Sequence, residues 1–284
     1  MAVRSIVVAM TEHAWQIERL DLEAYLTRIG LSAQPPSRSA LDRLLEAHVR
    51  TFTFDNIDVL LEQHPGVGLD SVQSKFVRRG RGGYCFEHRT LFAAALERLG
   101  YTVTRRLGRV GDPNKTARTH TVVVVTLDNE QLLSDPGFGF STLRAIPLVD
   151  GAEDDYDGRT LRVREVPEGA SRAWALHRHG QDGWELAHTH DELPVRPVDV
   201  VHGHHYTSTF PTSIFRQMLM VAGQAADTHF TLTESTVTVR RPGAPTEHRK
   251  IALDEVPDLL SELNVPLTDD ELERLLSRLA ELGT

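Results

Sequence analysis

Apolar positions recur at helix spacing over residues 20 to 64. Leu20, Leu22, Tyr25, Leu26 and Ile29 share one face, Gly30 stops them, and Pro35 with Pro36 breaks the chain before the next segment. A second helix is predicted from Ser39 to Val49, with Leu41, Leu44, Leu45 and His48 along one side. A third stripe of Leu91, Phe92, Ala95, Leu96 and Leu99 runs to Gly100, a residue suited to ending a helix. Up to that glycine the chain reads as mainly helix.

Beyond Gly100 the period changes to that of strands. Tyr101 to Thr104 and Thr121 to Leu127 are dense in β-branched residues, Asp128 and Asn129 signal a turn, and Gln131 to Ser134 returns as the partner strand. Shorter strand-like pieces follow at Leu161 to Val163, Ala173 to Leu176 and Trp184 to Leu186. Asp150 to Gly158 reads as a solvated acidic loop. In the last part, Ile214 to Ala222 reads as helix, and Phe230 to Leu232 and Ser235 to Val239 as strands. The final element has a local start signal: Thr268 and Glu271 form a capping box, with Leu267 and Leu272 as its staple, ahead of a stripe of Leu272, Leu275, Leu276, Leu279 and Leu282.

Composition narrows the function classes. The chain has 284 residues, 40% hydrophobic and 25% charged, enough for a sizeable core in one to three compact domains. The net charge of −9 and the scattered basic residues give no electrostatic footprint for nucleic acid. No apolar run approaches the roughly 20 residues of a membrane span. The apolar stretch within Met1 to Met10 is too short for a signal peptide and is followed at once by Thr11, Glu12 and His13. These features, with a single cysteine that excludes an internal disulfide, point to a cytoplasmic protein with a slightly extended N-terminus.

That lone cysteine has a suggestive setting. Arg81, Gly82, Gly83 and Tyr84 lead to Cys85 just before a helical pattern, so the backbone turns tightly and delivers the thiol near a helix N-terminus. Unpaired helix N–H groups stabilise an anion, and thiols so placed or paired with histidine reach pKa values of about 3.5 to 7.5, against about 8.5 for free cysteine. A cysteine nucleophile needs a base, and the base an orienting group. Among fourteen histidines, His120 stands out because it enters the Val122 to Val125 strand, while Asp135 leaves the strand that returns. If Asp128 and Asn129 form a two-residue hairpin loop, His120 lies opposite Gly137. Asp135 is then two along on the same face, on a diagonal of roughly 7 to 8 Å that the two side chains can close. A three-residue loop would put them on opposite faces. Gly137, Phe138 and Gly139 follow directly, and glycines there let backbone approach a ligand closely. His177, His179, His188, His190, His202, His204 and His205 invite a metal reading, but no acidic residue completes a zinc spacing and exposed histidine loops are common, so no metal is expected.

The residues together resemble a known family. The run from Arg78 to His88 (Arg-Arg-Gly-Arg-Gly-Gly-Tyr-Cys-Phe-Glu-His), then Thr119 with His120, then Asp135 to Gly139 (Asp-Pro-Gly-Phe-Gly) resemble the arylamine N-acetyltransferases in order and spacing. Phe54 to Asp58 and Tyr206 to Phe215 resemble further family segments. The resemblance implies an α+β fold with a cysteine-protease-like Cys-His-Asp triad. A helical bundle over 1–104 would carry the nucleophilic Cys85, a β-barrel over 105–210 would carry His120 and Asp135, and an α/β lid would occupy 211–284. It also implies acetyl-CoA as donor, no metal, and a ping-pong transfer through acetyl-Cys85 to arylamines, arylhydrazines and N-hydroxyarylamines. Thr119, Gly139 and Phe215 fall at positions that lie near coenzyme or acceptor in relatives. The implied partners are small aromatic amines and hydrazines, with no nucleic acid or membrane, and a homodimer stays open.

Four departures accompany the match: Arg89 stands where many relatives have Asn, Asp55 where they have Glu, Thr53 where they have Pro, and Pro136 where they have Val. The resemblance implies a carboxylate at position 55 pairing with Arg81, a contact that the change from Glu to Asp55 could alter, and Arg89 near the nucleophile's helix could retune acceptor choice or thiol pKa. The alternative on the same fold is an amide synthase that closes a macrolactam from a carrier-bound polyketide. A hydrolase or transglutaminase-like enzyme and a non-catalytic histidine-rich metal binder are the other readings.

Overall fold

Local rules account for the helices that open the chain. The computed structural model describes residues 14–168, 171–180, 182–225 and 227–283, so the Met1 to Met10 stretch lies outside the described residues. Helix α1 (Leu22–Arg28) starts where the Asp21 carboxylate accepts the Ala24 N–H at 3.0 Å. Helix α2 (Arg38–Thr51) starts at Ser37, whose hydroxyl accepts from the Ala40 N–H at 3.2 Å, and it buries Leu41, Leu44, Leu45 and His48 as their spacing predicts. The segment read as helical up to residue 64 is interrupted: Phe54–Asp55 is a short strand, β1, followed by helix α3 (Ile57–Leu60). Helix α4 (Leu69–Gln73) precedes α5 (Cys85–Arg98), which is buried along most of its length. Tyr25, Leu45, Phe76, Phe92 and Leu96 from this part share a core with Val123 and Val125, so the helices pack directly on the following sheet.

That sheet has eight antiparallel strands: β2 (Thr102–Val110), β3 (His120–Leu127), β4 (Glu130–Ser134), β5 (Ile146–Pro147), β6 (Glu153–Tyr156), β7 (Arg159–Glu168), β8 (Ser171–Gly180) and β9 (Gly183–Asp191). Their order is β5-β4-β3-β2-β9-β8-β7-β6. Leu133 and Ile146 near one edge share a core with Leu161 and Val163 near the other, so the sheet curls nearly into a closed barrel. Asp150 to Gly158 is not simply a loop. Glu153–Tyr156 pairs with Arg159–Arg162 through a tight turn, Tyr156 facing Arg159, and alternate residues keep the charge in solvent.

Helix α6 (Pro197–Thr209) and the short α7 (Ile214–Gln217) lead to a second sheet. It consists of β1, β10 (Val221–Ala225), β11 (Thr228–Leu232), β12 (Thr236–Arg240) and β13 (Glu247–Lys250) in that order. The helix expected over Ile214 to Ala222 is thus only one turn long. Val221 and Ala222 pair with Asp55 and Phe54 on one side and with Leu232 and Thr231 on the other, and this non-local ladder overrides the local pattern. Helices α8 (Val256–Glu262) and α9 (Asp269–Leu282) cover the sheet. The capping box forms as read: the Thr268 hydroxyl accepts the Glu271 N–H at 3.2 Å and the Glu271 carboxylate accepts the Thr268 N–H at 3.0 Å. Among the described residues no helix is long and apolar enough to cross a membrane.

Candidate active site

Close backbone approach places the cysteine. Gly82 and Gly83 lie against β1: the Gly83 N–H donates to the Thr53 carbonyl at 3.1 Å, and a Cβ on Gly82 would stand 1.9 Å from that oxygen. The chain then enters α5 with Cys85 as its first residue, and the Glu87 carboxylate accepts the Tyr84 N–H at 3.1 Å. Cys85 is 3% exposed; its thiol donates to the Thr119 carbonyl at 3.5 Å, and its carbonyl accepts from the Thr121 hydroxyl at 3.1 Å. The start of α5 is therefore sewn to the start of β3, which carries His120.

The hairpin adopts the register that a two-residue loop requires. Asp128 and Asn129 both have left-handed backbone (φ 50° and 67°), as a type I′ turn demands, and Leu127 faces Glu130 while Val123 faces Ser134. The ladder stops there, and Asp135 turns inward to accept the His120 Nε2–H on Oδ2 at 2.8 Å. Its Oδ1 accepts the Gly137 N–H at 3.2 Å, and its own N–H donates to the Thr142 hydroxyl at 3.0 Å. Gly137 is obligatory by packing, because a Cβ there would lie 2.9 Å from the Cys85 Cα.

Both members of this pair are fully enclosed, and charge decides their state. Burial would lower the His120 pKa, but the Asp135 carboxylate first and the neighbouring Cys85 second raise it to about 10. Burial would likewise raise Asp135, but His120 first and His188 second hold it well below the usual carboxylate range. Because the His120 value in the folded chain lies above its ordinary 6.5, its imidazolium contributes its full stability below about pH 6.5 while Asp135 stays ionised, and the contribution is lost as pH rises through about 10. Substituting His120 with Gln is expected to flatten the decline of Tm across that interval, measured by circular dichroism melts; parallel Tm–pH curves would contradict the assignment of an imidazolium.

Other expected residues fall nearby. The Thr119 carbonyl touches the thiol, as above. Gly139 (φ 86°) lines a cleft of about 280 Å³ with Phe54, Phe138, Phe140 and Met220, and its carbonyl accepts the His229 Nε2–H at 2.9 Å. Phe215 packs on Phe54 and Tyr84 at ring distances of 6.3 and 5.4 Å. Phe138 sets its ring against that of His120 at 5.2 Å, joining the cleft to the His120–Asp135 pair.

The histidines set aside as exposed loops need correction. His177 and His179 sit on β8, and His188 and His190 on β9, where the latter two are buried. His188 Nε2 lies 3.1 Å from Asp135 Oδ2 but is not aligned as a hydrogen bond. His120, Asp135 and His188 offer ligand atoms all within 4.8 Å of one another, the reach of one small cation, although the carboxylate oxygen already holds a charge-assisted bond to His120. The period-two spacing of His188 and His190 after Trp184 was the sequence signal for a shared strand. His202 and His205 are exposed on α6, whereas His204 Nδ1 meets the Tyr84 hydroxyl.

Two buried networks beneath the site escaped sequence reasoning. His88 Nε2–H donates to the Thr53 carbonyl at 3.1 Å, so its Nδ1 must accept from His48 Nε2–H at 2.9 Å, and His48 Nδ1 from the Tyr25 hydroxyl at 2.9 Å. Burial pushes His48 well down and His88 to about 4, so the chain is neutral. The second network is ionic. Lys75 pairs with Asp58 and Glu87, each at 2.9 Å, and burial, which would raise Glu87, is outweighed by Lys75 and His64, holding it at about 2. Arg81 bonds Asp58 at 2.9 Å and Glu271 at 3.3 Å, so the family pairing with position 55 is altered where Asp55 stands. Asp55 instead accepts from the Thr53 hydroxyl at 3.1 Å and the Ile57 N–H at 3.3 Å. Arg89, one of the four departures, is 1% exposed, with its guanidinium 5.0 Å from the Trp15 ring centre.

Comparison with known proteins bears on the family and the fold. An N-acetyltransferase family model matches residues 39–271. The arylamine N-acetyltransferase of Mycolicibacterium smegmatis is 32% identical, covering 93% of this chain and 98% of that one. The arylamine N-acetyltransferase / N-hydroxyarylamine O-acetyltransferase of Salmonella typhimurium is 33% identical over 84% of this chain and 85% of its own. The solved structure of Mycobacterium marinum arylamine N-acetyltransferase in complex with CoA superimposes with a TM-score of 0.83 at 30% identity, covering 92% of this chain and 99% of that one.

Proposed function

The chain belongs to the arylamine N-acetyltransferase family, and from that premise we propose that it moves an acetyl group from acetyl-CoA to arylamines, arylhydrazines and N-hydroxyarylamines in two half-reactions through acetyl-Cys85. The observation that carries the reading is a thiol on the first residue of a helix, close enough to an imidazole to act on its pKa, with a buried carboxylate that keeps that imidazole protonated to about pH 10. An imidazolium beside the sulfur is the counterion that a thiolate nucleophile requires.

In the first half-reaction the Cys85 sulfur attacks the thioester carbonyl, the C–S bond to CoA breaks, and His120 gives its proton to the departing thiolate. One thioester replaces another at little net cost. In the second, the amine attacks acetyl-Cys85, neutral His120 takes the amine proton, and the Cys85 thiolate leaves, restoring the ion pair. Asp135 holds the imidazole in one tautomer throughout, and N–H groups at the open end of α5 face the developing oxyanion. Burial of the sulfur and the aromatic wall of Phe54, Phe138 and Phe215 restrict water, which would otherwise hydrolyse the intermediate. A nucleophilic thiol requires reducing surroundings, which supports a cytoplasmic location.

Intact-mass spectrometry after mixing with acetyl-CoA is expected to show a single acetyl adduct on Cys85 that persists until an arylamine is added. Absence of the adduct sinks the reading, and discharge at the same rate without amine assigns a hydrolase instead.

A further inference from the structure

Arg89 is a buried cation without a carboxylate of its own. It lies one turn after Cys85 on α5, so the two side chains share a helix face, and helical side chains lean back over the preceding turn, which here begins with the thiol. The residue is 1% exposed, and its Nε and Nη1 have no hydrogen-bond acceptor; Nη2 donates to the Thr90 hydroxyl at 3.5 Å. The Trp15 ring takes the Arg89 guanidinium carbon at 5.0 Å from its centre and that of Arg105, on β2, at 4.4 Å. Trp15 also packs on the apolar cluster that contains Tyr84, Cys85, Phe86 and Leu107, so it fixes both guanidiniums beside the nucleophile.

A buried cation persists when an anion offsets its lost hydration. The carboxylate nearby is already engaged: Glu97 accepts from both terminal nitrogens of Arg105, at 2.9 and 2.5 Å. Among the described residues no carboxylate makes an ion pair with Arg89. Burial first and Arg105 second push the Arg89 guanidinium down to about 9, which leaves it charged at neutral pH, and of the groups that favour its charge Cys85 acts before Glu97. Attraction between two charges is mutual, so whatever an anionic Cys85 sulfur does for Arg89, Arg89 does for the sulfur.

We propose that Arg89 is a second cation serving the Cys85 sulfur: it supports the thiolate from within α5 while the His120 imidazolium supports it from β3, and the thiolate is in turn the anion that this buried guanidinium otherwise lacks. The charged and titratable groups around the sulfur are then His120 with Asp135 behind it, Arg89 and Arg105 on the cationic side, and the Tyr84 phenol, which burial and then Glu87 and Cys85 keep protonated. The proposal rests on Cys85 carrying the acetyl group, as read above, and adds a residue that acts where the sulfur's charge changes. When the amine attacks acetyl-Cys85 the C–S bond breaks and its electron pair stays on sulfur. A fixed cation at that place favours the departure and keeps all its own protons.

The test reads the sulfur directly, by iodoacetamide alkylation across pH, and needs no donor. Arg89→Met keeps the length of the side chain and removes its charge. It is expected to alkylate about tenfold more slowly than the unaltered chain on the acid limb of the profile and at a similar rate on the alkaline plateau, the consequence of losing an opposite charge one helix turn away. Arg89→Lys is expected to recover most of the lost rate, and Arg89→Asn, the residue of many relatives, to behave as Arg89→Met. Because the cation is costly to bury without a carboxylate, Arg89→Met should melt no lower than the unaltered chain by circular dichroism. Discharge of acetyl-Cys85 by an arylamine, followed by intact mass, should also slow in the two neutral variants. The proposal is overturned if their alkylation profiles superimpose on that of the unaltered chain, if Arg89→Lys is displaced as far as Arg89→Met, or if the only change is a lower Tm. A displaced Arg89→Met profile in a chain that never forms acetyl-Cys85 would uphold Arg89's part and refute the acetyl-carrier reading instead.

Discussion

Replacing Cys85 with serine or alanine is expected to lower kcat/KM for acetyl transfer by about 10⁴-fold or more, measured as amine-dependent CoA release. No second thiol exists to take over, since the chain has one cysteine. Serine is a poor substitute here for a specific electrostatic reason. His120 is held protonated to about pH 10, so near neutrality it has no free lone pair with which to draw a proton from a hydroxyl. A thiolate nucleophile needs no such help and gains that imidazolium as its counterion. Intact-mass spectrometry should accordingly find no acetyl adduct on the serine variant. Substantial turnover by either variant would remove Cys85 from the nucleophile's role.

Replacing Asp135 with asparagine is the second large effect expected, a loss of about 10³ to 10⁴-fold in kcat/KM. The amide keeps the carboxylate's shape and removes its charge. His120 then has burial acting against its imidazolium without the carboxylate that outweighs it, so the ring becomes neutral and the thiolate loses its counterion. The asparagine NH₂ can also point at His120 and impose the wrong tautomer. The distinguishing measurement is the pH dependence of Cys85 alkylation by iodoacetamide. The alkylation profile of Asp135→Asn should be displaced to higher pH than that of the unaltered chain, because the imidazolium counterion is lost. An unchanged alkylation profile with full turnover would show that the carboxylate has no part in activating the thiol.

Much of the reacting geometry could be read because it depends on short-range rules. Two consecutive residues that tolerate left-handed backbone set the hairpin register, and that register puts His120 and Asp135 within side-chain reach. The same holds for Cys85 after its glycines and for the cap at Thr268. Reading failed where distant strands compete with local pattern. Ile214 to Ala222 has helical spacing, yet Val221 and Ala222 gain more from pairing with β1 and β11. The family departure at Asp55 signals an altered pairing with Arg81 but not its outcome: the one-methylene-shorter carboxylate satisfies its own segment, and Arg81 turns to Asp58 and Glu271.

The amino-acid order by itself determined the helix starts, the two-residue loop and hence the histidine–carboxylate face, because torsional preference and capping hydrogen bonds act over a few residues. Only the tertiary structure decided that Cys85 would meet His120 and that His188 would crowd the same carboxylate. Those outcomes depend on which distant strands pair and on how buried charges find partners after pairing, and no local pattern carries that information.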